Sequence, residues 1–228
     1  VSSSTFGFNS GLIDNITQRA YSQAEQAITI NRANPNNIFI ATNGRGGFGD
    51  QTYLVFAQSV DGGHTWLRGT FADGSDGLPA ACCDPSLTSD RFGNLYIAYL
   101  ASNTLTPDQS LEVIVGRSVD GGRHWTLLAN LGPGDEPTII AGPGKNPNEQ
   151  SLWVTWTNDG TGQLLAAGIT VMGRGLLKGA FSPPQEVLQS TTVEGYGDIA
   201  IGPHGKVVVA HQSIDCVEGP DAIRVNTN

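Results

Sequence analysis

The sequence predicts an all-β fold, a β-propeller built from four-stranded antiparallel blades. Three observations predict it. The octapeptide SVDGGHTW at residues 59–66 returns 59 residues later as SVDGGRHW at 118–125. The same offset of 59 relates two acid-led segments, Glu25-Gln-Ala-Ile-Thr-Ile-Asn and Asp84-Pro-Ser-Leu-Thr-Ser-Asp. Between these markers run short β-branched segments bounded by Gly, Asn and Pro, the signature of strands and turns. No stretch carries a long 3.6-residue apolar period, so helix is expected to be minor. Repeats of this length, each unable to bury both faces alone, stack around an axis as blades.

Each unit follows from local residues. In the first, Glu25 leads a strand, Asn36-Asn37 turns, Ile38-Phe-Ile-Ala forms a second strand, and a third ends at Ser59. In the second, Asp84 leads, Gly93-Asn94 turns and Leu95-Tyr-Ile-Ala follows. The acid precedes the SVDGG serine by 34 residues in both units (Glu25 to Ser59, Asp84 to Ser118). Two fainter units continue the series: Glu136-Pro-Thr-Ile-Ile before Leu152-Trp-Val-Thr-Trp, and Asp198-Ile-Ala-Ile before Gly205-Lys-Val-Val-Val. The predicted blades span about residues 24–78, 79–133, 134–191 and 192–228. The same phase puts the third turn near Thr170, in Thr170-Val-Met-Gly-Arg-Gly, and the fourth beyond Asn228, so the last blade is expected to be incomplete. Residues 1–23 form an N-terminal segment in which Thr5-Phe-Gly-Phe-Asn is a candidate ring-closing strand. The alternative is a longer propeller completed by a second chain or a further C-terminal segment.

Composition narrows the function. The chain of 228 residues has 12 Lys+Arg against 21 Asp+Glu, a net charge of −9. No basic stripe of the kind that tracks a phosphate backbone is visible, which excludes nucleic acid as the expected partner. No apolar run reaches the length of a membrane helix. The chain starts at Val1 and carries the sequon Asn15-Ile16-Thr17, from which a processed, secreted protein, extracellular or periplasmic, is expected. Cys82, Cys83 and Cys216 make an odd set. A vicinal Cys82–Cys83 bridge, a Cys83–Cys216 bridge, a free thiol and three buried thiols all fit that count.

The motif Ser-x-Asp-x-Gly-x-Thr-Trp resembles the Asp box, or bacterial neuraminidase repeat, of sialidase-like β-propellers and related glycosidases. Ser59, Asp61, Gly63, Thr65 and Trp66 match every position; Ser118, Asp120, Gly122 and Trp125 match, with His124 in place of Thr. The resemblance covers about residues 24–228 and weakens after residue 160. It implies a six-bladed propeller and a glycan-directed function, as a glycoside hydrolase relative or a carbohydrate binder. The box itself reads as turn chemistry: Asp and Ser side chains bond nearby amides, glycine permits positive φ, and tryptophan buries area against the blade.

In a four-stranded meander the strand-1 starts lie at the opposite end from the turn between strands 3 and 4. Glu25, Asp84, Glu136 and Asp198 are therefore expected at a channel mouth away from the boxes. As a carboxylate ring they are candidates for Ca2+, for sugar hydroxyls or, paired, for glycoside hydrolysis. Asp84, Glu136, Asp198 and the adjacent Tyr196 are the catalytic candidates. Arg45 and His211 join Glu25, Asp84, Glu136 and Asp198 as binding candidates, and Asp50, Asp108, Asp159, Asp215, Glu218 and Asp221 add polar groups in the same loops. The resemblance further implies an arginine triad and a tyrosine nucleophile for sialic acid. No Arg-Ile-Pro motif occurs, and only Arg45 sits plainly in a mouth loop. The competing reading is a non-catalytic scaffold that presents its loops or edges to a partner protein.

Overall fold

The computed structural model describes residues 16–18, 23–45, 52–102, 110–187, 193–215 and 219–227. Sixteen strands form four sheets. The first is β1 (Gln23–Ile30), β2 (Ile38–Arg45), β3 (Thr52–Ser59) and β4 (Leu67–Phe71). The second is β5 (Ala81–Ser89), β6 (Leu95–Ser102), β7 (Leu111–Ser118) and β8 (Thr126–Pro133). The third is β9 (Asp135–Pro143), β10 (Gln150–Thr157), β11 (Leu164–Gly173) and β12 (Leu176–Lys178), with the short β13 (Gln185–Glu186) also on β11. The fourth is β14 (Val193–Ile201), β15 (Val207–Asp215) and β16 (Gly219–Thr227). Strand order in every sheet follows the chain and every pairing is antiparallel, so each sheet is a meander. The expected all-β propeller of four-stranded blades is thus the fold. Among the described residues the only helical element is the single 3-10 turn Pro203–Gly205.

Inner strands pack in series, β1 on β5, β5 on β9 and β9 on β14, and no comparable packing joins β14 back to β1 among the described residues. Three apolar cores fill the spaces between consecutive sheets. Phe39, Leu54 and Phe71 meet Ile97, Tyr99 and Ile114 between the first two. Leu100, Val113 and Val115 meet Leu152, Val154 and Trp156 between the second and third. Leu164 meets Ile199, Val207 and Val209 between the third and fourth. Strand alternation explains this: one face of each strand enters one core and the next residue enters the other.

The two SVDGG turns close β3 to β4 and β7 to β8 with one hydrogen-bond set. Ser59 Oγ accepts from Gly63 N at 2.8 Å and donates to Asp61 Oδ1 at 2.8 Å, and Asp61 accepts from Thr65 N and Thr65 Oγ1 at 2.9 and 2.6 Å. Ser118 and Asp120 repeat this, with His124 Nδ1 2.6 Å from Asp120 Oδ2 where Thr65 places its hydroxyl. These bonds hold both aspartates low. Asp61 is drawn to about 2 by the Thr65 hydroxyl and amide. Asp120 also reaches about 2, because bonds from His124 and Ser118 outweigh its partial burial. Trp125 stacks on Phe71 and meets Phe39 edge-on, ring centroids 5.7 and 5.2 Å apart, so the second box is wedged against the first sheet.

The third hairpin turns at Arg174-Gly175, four residues past the expected Thr170, because β11 runs for 10 residues. It has no Ser–Asp set. Side chains of the second sheet hold it instead: Asn94 Oδ1 accepts from Gly175 N at 2.8 Å and Asn94 Nδ2 donates to Gly173 O at 3.1 Å. Asn37 makes the equivalent reach one blade earlier, donating to Gly121 O at 3.0 Å. The candidate closing strand at Thr5 and the thiol Cys216 lie outside the described residues. Cys82 and Cys83 form a vicinal disulfide within β5.

Candidate functional site

Glu25, Asp84 and Glu136 occupy one register position on three successive inner strands. Each sits two residues before the residue (Ala27, Ser86, Thr138) that restores regular pairing after a β-bulge. All three are left-handed, with φ of 55°, 55° and 51°. For a non-glycine residue that conformation costs about 1 kcal/mol or more. The bulges bend the strand starts, which is where such insertions re-aim side chains. Their end of the sheet is opposite the boxes: Ile30 pairs with Ile38 and Ile38 with Ser59, whereas Glu25 lies near Asn43, five residues and roughly 16 Å further along β2.

The fourth inner strand departs from the expected phase. Its bulge lies between Gly195 and Asp198, and Asp198 pairs with Ala210 as Ala27 pairs with Ala41 and Ser86 with Ala98. Tyr196 therefore takes the register position of the three acids, and Asp198 sits two residues beyond it. Asp198 is exposed and its Oδ1 accepts from Ile199 N at 2.8 Å. His211 is buried within β15, its Nε2 3.2 Å from Asn226 Oδ1. Arg45 closes β2 opposite Thr52. Asp50, Asp108 and Glu218 lie outside the described residues, and so do the side chains of Arg45, Tyr196, Asp215 and Asp221.

The acids interact electrostatically. Glu25 Oε2 accepts from Asp84 N at 3.1 Å and from Asn43 Nδ2, and the two carboxyls share a hydrogen bond. That bond from Asp84 draws Glu25 below its ordinary value against the effect of burial. Burial, the bond to Glu25 and the fields of Glu25, Glu136 and Asp135 push Asp84 up to about 8. Burial and then Asp135 and Glu25 raise Glu136; burial and Asp135 raise Asp159 in the β10–β11 loop. Two carboxyls this close cannot both ionise cheaply, so one proton stays on the pair at neutral pH. Asp135, whose Oδ1 accepts from Glu136 N at 3.0 Å, belongs to this cluster and was not expected; the adjacent acids Asp135-Glu136 are its signal in the sequence.

The expected Ca2+ set does not fit. Among the described residues no three or more His, Cys, Asp or Glu side chains are grouped to hold a metal ion. Glu25 and Asp84 satisfy each other through a shared proton, and Asp198 is displaced along its strand. The arrangement suits proton transfer better than coordination of a hard cation, which needs six to eight oxygens.

No family model matches the sequence, and comparison with curated proteins returns no relative. Solved structures do match the fold. The α-L-arabinanase of Penicillium chrysogenum complexed with arabinobiose aligns over 90% of this chain and 62% of its own, with TM-score 0.61 and 16% identity. The α-L-arabinofuranosidase of Fusarium graminearum with arabinobiose aligns over the same shares, with TM-score 0.60 and 12% identity. The NanB sialidase of Streptococcus pneumoniae aligns over 84% of this chain and 29% of its own, with TM-score 0.56 and 12% identity. The chain is similar in fold to propeller glycosidases, and it spans 62% of the length of the first two.

Proposed function

We propose that this propeller is glycan-directed and acts as a glycoside hydrolase through the acidic end of its channel. One observation carries the reading: Asp84, protonated at neutral pH, is hydrogen-bonded to ionised Glu25 beside a third carboxyl, Glu136. A carboxylic acid and a carboxylate on one surface are the parts glycoside cleavage needs. Asp84 gives its proton to the glycosidic oxygen as the bond from that oxygen to the anomeric carbon breaks. Glu136 stabilises the positive charge that develops on the sugar or directs the water that completes hydrolysis. Left-handed acids at three strand starts are backbone outliers of the kind found where a side chain must be aimed.

The described side chains at this end are acidic, which favours a neutral sugar over a sialic acid carboxylate. Fold likeness to arabinose-directed enzymes supports the same direction. A panel of aryl glycosides tests it. The expected result is turnover of a neutral furanoside or pyranoside, reduced at least a hundredfold by Asp84→Asn or Glu136→Gln, with no release from an aryl sialoside. Silence on the whole panel, joined by silence on a glycan array, would overturn the glycan reading.

A second reading, an assembly scaffold completed by a further segment or chain, is favoured by the two flanks of the blade arc. Ile28 and Ile30 on β1 are 62% and 52% exposed, and Val225 on β16 is 63% exposed. These apolar faces are the ones a next blade would cover. An oxidising, secreted setting is proposed from the Cys82–Cys83 disulfide and the sequon.

A further inference from the structure

The sequence holds only three lysines, Lys145, Lys178 and Lys206, and all three line one groove of about 820 Å3 between the third and fourth sheets. They come from separate elements. Lys145 lies in the β9–β10 turn, Lys178 ends β12 and Lys206 follows the 3-10 turn before β15. The two turns are pressed together: a Cβ on Gly205 would lie 3.0 Å from both the Gly144 carbonyl carbon and Lys145 N. That contact sets Lys145 and Lys206 side by side. Lys178 Nζ lies 3.6 Å from Glu149 Oε1. Among the described residues Lys145 and Lys206 have no carboxylate partner. His204 and Ser182 add polar atoms to the wall.

The floor is aromatic. Trp153 lies flat over Gly168, where an added Cβ would meet its ring at 2.5 Å, and the half-buried indole lines the groove. An aromatic platform beside convergent polar groups, within the volume of ordinary ligand sites, is the composition of a small-molecule site. In a chain of net charge −9, two unpaired ammonium groups beside a third are not ordinary surface.

We propose that this groove binds an anionic oligosaccharide, a chain of sugars bearing carboxylate or sulfate groups, with Lys145 and Lys206 on the anions and Trp153 under a sugar ring. The site lies toward the box end of the blades, away from Asp84, and the proposal does not depend on catalysis there. A nucleic acid is disfavoured because three lysines in one groove do not make the extended stripe a phosphate backbone needs, and the rest of the chain repels a long polyanion.

Calorimetric titration with an oligogalacturonate hexamer and a heparin-derived hexasaccharide tests it and separates carboxylate from sulfate. At least one should bind, more weakly as salt rises. Lys145→Glu and Lys206→Glu should each weaken binding about tenfold or more, with an unchanged Tm showing intact folding. Asp84→Asn should leave the affinity unchanged, which separates this site from the proposed hydrolytic one. The proposal is overturned if neither sugar binds, if a neutral galactan hexamer binds equally, if the lysine variants bind like the parent, or if oligothymidylate binds as tightly.

Discussion

Asn94 of the second sheet latches the third: its Oδ1 accepts from Gly175 N at 2.8 Å while its amide donates to the neighbouring carbonyl of Gly173. Asn94 is fully buried and its carboxamide also donates to Asp90, so one side chain joins a turn, its own sheet and the next. Replacing it removes partners from buried groups that have no water to turn to. Asn94→Ala should lower stability by roughly 2–4 kcal/mol, against under about 0.5 kcal/mol for the exposed Asn34→Ala. Urea unfolding of both variants checks the difference; equal effects would mean that the inter-blade bond contributes nothing.

The SVDGG turns make a second prediction, about carpentry against chemistry. Ser118 is buried and serves Gly122 N, Asp120 N and Asp120 Oδ1 at once. Ser118→Ala should cost about 1–3 kcal/mol. It should leave ligand affinity and any turnover per folded molecule unchanged, because the box is at the other end of the sheet from the acids. A selective loss of activity at full stability would assign the box a functional role.

Glycine separates backbone strain from space. Gly122 and Gly132 have nearly equal left-handed φ, 98° and 94°. A Cβ at Gly122 would fall 2.4 Å from the Phe39 ring, whereas nothing lies within 4 Å at Gly132. Gly132→Ala should therefore cost about 1 kcal/mol, the backbone term alone, and Gly122→Ala roughly 2–4 kcal/mol, because packing is added. Thermal unfolding of the pair would show similar values only if the second box were not wedged against the first sheet.

Legibility in the sequence followed from how local each cause is. The boxes and the meander could be read because turn chemistry is contiguous: Ser59, Asp61 and Thr65 act on one another. Glu25, Asp84 and Glu136 could be read because each leads its own strand at a fixed distance from a marker. The fourth position could not, because a bulge shifts register by residues that look like ordinary strand, and this moves Tyr196 into the place expected for Asp198. Asn37 and Asn94 read as turn residues, and their reach to the next blade depends on blade stacking. Lys145, Lys178 and Lys206 are scattered along the chain, and only the packing of two turns gathers them.

The Glu25–Asp84 pair predicts a pH dependence with a definite sign. An unfolded Asp titrates near 4, and the folded Asp84 is raised to about 8. Between those values the folded chain holds a proton that the unfolded chain has released. Stability from this group is therefore fully present below about pH 4 and falls as pH rises to about 8. Glu136 and Asp159, also raised, act in the same direction. Glu25, lowered, acts in the opposite direction and only below its ordinary range. Asp84→Asn keeps a neutral donor beside Glu25 and removes the largest part of the slope. Its Tm relative to the parent should rise between pH 5 and pH 8; a parallel pair of Tm curves would sink the shared-proton assignment.

The Cys82–Cys83 bridge closes the smallest loop a disulfide can, so its effect on the unfolded chain is small. Loop-closure entropy for adjacent residues is worth about 1 kcal/mol, where a loop of some fifteen residues gives about 3. Reduction should therefore lower Tm by only roughly 2–4 °C for a chain of this size. Alkylation of the denatured protein without reductant should leave the peptide holding Cys82 and Cys83 unlabelled and two hydrogens lighter than the dithiol, and both sulfurs should label after reduction. A bridge from either residue to Cys216 would instead close a loop of more than a hundred residues. It would label one of the vicinal pair without reductant and give a much larger fall in Tm, and that result would displace the vicinal assignment.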